Sequence, residues 1–189
     1  MNNYKRLNLI VISAILTALS FIVIYLVPTI DLGIWSFTLG SHVPIMIGMF
    51  ISPVTAVFTY LGTLFTFMIK TPNVIVWFRA ASHIFFIIAG LFLMKKWKTL
   101  NSNILDIHKG FFTISLFVII IAFIHALFEV LAIYFCMFLN TLGNISIAIP
   151  STGTYYLFFT VGLGTFVHTI LDFTIAYIIY LPIKKSKII

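Results

Sequence analysis

Residues 7–27 run without a single charged side chain, and long, nearly charge-free stretches recur to the end of the chain, separated by short breaks of Pro, Gly, Asn and Lys. A hydrocarbon core about 30 Å thick needs about 20 apolar residues per helix, so runs of this length answer to lipid as solvent. Only 8% of the 189 residues are charged, against roughly 25% in an average soluble domain, which leaves too little polar surface to face water. The formal charge of +7 does not point to nucleic acid, because the basic residues sit in clusters at the ends of apolar runs and not along one face. Cys136 is the single cysteine and lies inside an apolar run, which excludes an intrachain disulfide and a cysteine metal cage. No small-residue cleavage site follows the first run, so it reads as a retained helix and not a removed leader.

The runs predict helices at 7–27, 42–51, 54–69, 76–94, 111–139 and 154–181. Ser52 and Pro53 alone separate the second and third, and the second is short, so this pair is a tight hairpin or one bent element, and five crossings compete with six. Charge decides between them. Lys5, Arg6, Lys95, Lys96, Lys98, Lys109, Lys184, Lys185 and Lys187 all fall on one side only if the chain crosses six times. The expectation is therefore an all-α integral membrane protein: a six-helix transmembrane bundle with both termini cytoplasmic, forming one transmembrane domain over residues 1–189. Loops 28–41 and 140–153 then face outward and could cover a site. No repeat of 20–50 residues and no inverted repeat is visible, which argues against a self-contained alternating-access transporter.

An ionisable group at the centre of a membrane helix costs about 2.5–3.5 kcal/mol on insertion scales, so each one needs a partner or a task. Three pairs share helix faces at i, i+4: Arg79 with His83, His125 with Glu129, and His168 with Asp172. Arg79 and Glu129 sit at comparable depth on oppositely running helices. They could form a structural ion pair, or Arg79 could hold a ligand carboxylate through its guanidinium fork with His83 adding a donor. His168 and Asp172 lie deeper, where an interhelical hydrogen bond, a proton relay or a metal ligand all fit the spacing. Trp77, beside Arg79, and Trp35, in the first outer loop, could stack on a flat ring or belong to an interfacial aromatic belt. No HExxH, GxSxG or Walker glycine loop is present, so the chain carries no recognisable hydrolase or ATPase signature.

Ala14 and Ala18 make a small-xxx-small pattern on the first helix that lets another helix approach closely. With the basic N-terminus, the stretch His42-Val-Pro-Ile-Met-Ile-Gly-Met-Phe-Ile-Ser-Pro, and Phe78-Arg79-Ala80-Ala81-Ser82-His83-Ile84-Phe85-Phe86 followed by Gly90 and Lys95-Lys96, the chain resembles the S components of energy-coupling factor transporters along nearly its whole length. That resemblance implies capture of a vitamin from outside, beneath the first outer loop, among the fourth, fifth and sixth helices. It implies a transmembrane coupling protein that meets Ala14 and Ala18, two ATP-binding subunits that supply the energy, reorientation of the loaded subunit in the membrane, and no cofactor or metal on this chain itself. Arg79 favours a carboxylate. Niacin is the first choice, held by Arg79 and His83 with Trp77 against the ring and His125, Glu129 and His168 around it. Pantothenate is second, its hydroxyls and amide meeting Asn140, Asn144, Ser151 and Thr154. Two rivals stand beside this: an intramembrane enzyme whose His125, Glu129, His168 and Asp172 converge on a metal, and a membrane scaffold whose buried charges are structural.

Overall fold

The computed structural model describes residues 3–32, 35–96, 107–143 and 154–186. Without water to satisfy the backbone, apolar runs of this length must close their hydrogen bonds internally, and they form helices: α1 (Asn3–Leu26), α2 (Val43–Ile51), α3 (Pro53–Lys70), α4 (Val74–Lys96) and α5 (Ile107–Thr141). The last helical run begins with a turn at Thr154–Tyr156, widens into a π-helical stretch at Leu157–Leu163, and continues as α6 (Gly164–Lys185). Among the described residues five helices are long and apolar enough to cross a membrane; α2 is not one of them, its nine residues rising only about 14 Å. Lys95 and Lys96 end α4, and Lys184 and Lys185 end α6, where cations suit both the helix dipole and a headgroup layer. Asn144 and Ser151 lie outside the described residues, as does the side chain of Thr154.

The question left open between residues 42 and 70 is answered by Ser52. Its backbone is extended (φ −166°, ψ 156°), its hydroxyl accepts the Thr55 N–H at 3.0 Å, and Pro53 occupies the first turn of α3, so α2 and α3 are separate helices in a tight hairpin. Gly48 permits the close approach: a Cβ there would stand 3.2 Å from the Ala56 Cα and N. Substituting Gly48→Leu forces the two backbones apart, and we expect an overpacking loss of about 1–3 kcal/mol, read as a lower unfolding temperature in detergent.

Helices α1 and α3 run parallel, with Thr63 bonded to Ser20 at 2.9 Å and Lys70 donating to the Ile24 carbonyl at their C-terminal ends. From α3 onward each long helix packs antiparallel to the one before it, as in the contacts of Tyr60 with Ala81, Phe78 with Phe135, and Phe117 with Phe173. The start of α1 and the end of α6 therefore emerge on the same face.

Two apolar clusters fill the interior. One joins Val43–Phe50 of α2 to Phe86, Ile87, Phe117, Ile121, Phe173 and Ala176; the other gathers Trp35, Ile75, Ile133, Cys136, Leu157 and Val161. Along α4, α5 and α6 the residues between these clusters are polar, so the bundle encloses a polar layer between two apolar ones. Outward, Phe58, Phe65, Phe92, Phe123 and Phe138 are exposed, the surface expected against acyl chains.

Candidate functional site

The segment expected as an outer loop, described at 28–32 and 35–41, turns Trp35 and Thr38 into the bundle while Thr29–Asp31 stay exposed. It makes a short antiparallel hairpin of β1 (Thr29–Asp31) and β2 (Ser36–Thr38), which pairs its own backbone. Gly40 (φ 82°) then turns the chain into α2. Trp35 is buried at 5% exposure and is no part of an interfacial belt: its ring packs on Phe37 with centroids 4.7 Å apart, its Nε1 donates to Thr165 Oγ1 at 3.1 Å, and its ring rests where Gly164 has no side chain.

Two carboxylates organise the polar layer. Glu129 on α5 accepts Arg79 Nη2 at 2.9 Å and Nε at 3.3 Å on one oxygen, which also accepts Thr165 Oγ1 at 2.6 Å. Its other oxygen faces His83 Nε2 at 3.3 Å and His125 Nε2 at 3.6 Å. The two roles weighed for Arg79 thus narrow in this state: it pairs with Glu129 and spends Nη2 also on the Ser36 carbonyl of the hairpin at 3.1 Å. Asp172 on α6 is fully buried and accepts the backbone N–H of Gly40 at 2.7 Å and of His42 at 3.0 Å, together with His42 Nδ1 at 3.0 Å. His168 Nε2 lies 3.3 Å from the same carboxylate and 3.1 Å from His42 Nδ1. Asp172 is chiefly the anchor of the hairpin and of His42, with His168 as an additional partner.

A cavity of about 50 Å³ opens on this layer, lined by Ser36, Phe37, Thr38, His42, Lys70, Arg79, His83, Glu129, Thr165 and His168 among others. Arg79, His83, Glu129 and His168 therefore meet at one cavity, and His125 stands behind them against Glu129. Trp77 and Asn140 are not among the lining residues: the Trp77 indole donates to the Thr71 carbonyl at 2.7 Å, and Asn140 occupies the last turn of α5. Several participants escaped sequence reasoning, Thr165 and two ionisable residues among them. His42 opens an apolar helix before Pro44, and a histidine at the mouth of an apolar run was the available signal. Lys70 ends α3 and lines the cavity while donating to Thr29 Oγ1 at 3.1 Å.

Ala14 and Ala18 lie exposed on α1 and line a surface groove of about 650 Å³ with Thr17, Phe58, Leu61, Gly62 and Phe65. A Cβ at Gly62 would meet Thr17 Cγ2 at 2.2 Å, so α3 reaches α1 through Gly62 and leaves both alanines uncovered.

The described residues form a helical bundle of membrane-spanning length and apolarity that encloses a buried polar layer, the architecture of a multi-pass membrane protein. The sequence is 33% identical over 168 residues to the niacin transporter NiaX of Lactococcus lactis subsp. cremoris (strain MG1363), covering 88% of this chain and 70% of that protein. The chain belongs to that transporter's family, the S components of energy-coupling factor vitamin transporters, and is a multi-pass protein of the bacterial cell membrane. No family model matches the sequence, and no solved structure matches it.

Proposed function

We propose that the chain captures niacin as its carboxylate anion from outside the cell and delivers it to a membrane coupling protein driven by two ATP-binding subunits. The observation that carries this reading is the pairing of Arg79 and Lys70 on one buried cavity. Glu129 is taken up by Arg79 and Asp172 does not line the cavity, so Lys70 is the cation left facing it to meet an anionic ligand, and the relative at 33% identity is named as a niacin transporter. His83 and His168 would flank the ring, with Phe37 beside His168, their ring centroids 5.0 Å apart. Pantothenate is the second choice, because it is longer and the cavity would have to open farther to admit it.

The cavity of about 50 Å³ is far below the roughly 300 Å³ of an ordinary small-molecule pocket, so loading requires the hairpin to move outward. The bonds that would yield are those of Arg79 to Ser36, Trp35 to Thr165, and Tyr156 to the Leu32 carbonyl at 2.9 Å. In this reading the inserted hairpin and α2 together make the sixth crossing, the basic ends lie in the cytoplasm, and the exposed Ala14–Ala18 face of α1 receives the coupling protein. Catalysis by this chain forms no part of the reading, since the named activity of the relative is transport.

The test is calorimetric titration of the detergent-solubilised protein with nicotinate, nicotinamide and pantothenate. Saturable one-to-one binding of nicotinate, at least about tenfold tighter than of pantothenate, is the expected result. Binding of neither acid to folded protein would remove the vitamin assignment.

A further inference from the structure

The histidine cluster carries more than an anion site needs. His42 from the hairpin turn, His83 from α4 and His125 from α5 bring their rings into a nearly equilateral triangle, with centroids 4.6, 4.8 and 4.8 Å apart and planes crossing at 73°, 77° and 90°. All three are at least 95% buried. One nitrogen from each lies within 4.8 Å of the others, and Glu129 Oε1 stands beside two of them, 3.3 Å from His83 Nε2 and 3.6 Å from His125 Nε2. Nitrogen ligands about 2.05 Å from a tetrahedral ion stand about 3.3 Å apart. His42 Nε2 and His83 Nε2 are 3.4 Å apart.

Proton placement leads to the same conclusion. Thr169 donates its hydroxyl hydrogen to the Thr165 carbonyl at 2.6 Å, so at the 2.8 Å contact with His125 it can only accept, and His125 Nδ1 carries the hydrogen. The Nε2 of a neutral His125 is then a bare lone pair, buried without a hydrogen-bond partner and turned toward a carboxylate oxygen. His42 Nδ1 donates in the same way to Asp172, leaving its Nε2 bare against His83. A single hydrogen on His83 Nε2 cannot satisfy both neighbours. Imidazoles whose far nitrogens donate to a carboxylate and a hydroxyl, with their near nitrogens converging, have the arrangement in which histidines bind metal.

We propose that His42, His83 and His125, with Glu129 as the fourth ligand, bind one divalent transition ion of the zinc class. Imidazole with carboxylate suits zinc, cobalt and nickel, and the absence of thiolate from the cluster disfavours copper(I). Asp172 and Thr169 are positioning residues that hold two rings in the binding tautomer. The formal charges of Lys70, Arg79, Glu129 and Asp172 cancel, so the ion would leave the layer positive, the sign an anionic substrate needs. Metal binding itself stands independently of the vitamin reading.

The experiment strips the purified full-length protein with a chelator and titrates it with Co²⁺, following the ligand-field absorption of a tetrahedral nitrogen and oxygen site, with zinc competition and elemental analysis for stoichiometry. One equivalent is expected in wild type. His125→Ala should abolish the signal, and Asp172→Asn should weaken affinity about 10–100-fold while the absorption keeps its shape. A folded wild type that takes up no Co²⁺ or Zn²⁺, or a His125→Ala variant that binds as wild type, overturns the proposal. Nicotinate titration of stripped and zinc-loaded protein separates the two readings: binding without metal uptake leaves the carrier and removes the ion, and metal uptake without any vitamin binding does the reverse.

Discussion

Replacing Arg79 by alanine is expected to abolish nicotinate binding and to lower the stability of the solubilised protein by about 3–5 kcal/mol, because Glu129 would then be a buried carboxylate without its cation. Glu129 is 3% exposed and shares its oxygens with Thr165, His83 and His125, none of which carries a fixed charge. The loss therefore combines two effects, a missing ligand contact and a stranded charge, and the double variant Arg79→Ala/Glu129→Gln separates them. It removes the stranded charge, so most of the stability should return while nicotinate binding stays lost. Thermal unfolding and calorimetric titration of the three proteins read the two quantities. A double variant that binds nicotinate as well as wild type would reduce Arg79 to a packing residue.

Asp172→Ala has the second large effect. The carboxylate accepts the Gly40 and His42 N–H groups and the His42 ring, so its removal leaves two backbone donors buried without partners at the point where the hairpin enters the bundle. A charged acceptor contributes about 1.5–3 kcal/mol per bond, so the two backbone bonds together are worth about 3–6 kcal/mol. Because those bonds tie the hairpin to α6, the damage should be local before it is global. Amide exchange should rise first in residues 36–43, with α4 and α5 protected as in wild type. Equal exchange increases throughout the bundle would show that Asp172 supports the whole fold and not the hairpin in particular.

Much of the bundle was legible because lipid imposes a simple rule: a backbone that cannot reach water must close its own hydrogen bonds over the full thickness of the hydrocarbon. That rule alone locates the five long helices from runs of Leu, Ile, Phe and Val. The i, i+4 pairs on α4, α5 and α6 were legible for the related reason that lipid tolerates few ionisable groups, and their shared faces follow from helical periodicity. The hairpin was not legible. Thr29–Leu32 and Trp35–Leu39 alternate polar and apolar residues, but both runs are short and no strong turn pair joins them, and the segment is held by Arg79, Thr165 and Asp172, partners more than 40 residues away in the chain.

The pairing of Arg79 with Glu129 could be reasoned from depth, but the convergence of His42 on His83 and His125 could not, since it depends on where a folded loop sets the first residue before α2. Trp77 illustrates the opposite error. Its place two residues before Arg79 in sequence suggests a shared site, yet residues two apart on a helix point about 200° apart, and its indole caps the Thr71 carbonyl while Arg79 turns inward. The sequence by itself determined a lipid-solvated bundle and which helix faces carry its few polar groups, because solvent and helical periodicity act locally. The tertiary structure alone decided that an inserted hairpin closes the polar layer and completes the histidine cluster, because those contacts join residues whose separation along the chain leaves no local signature.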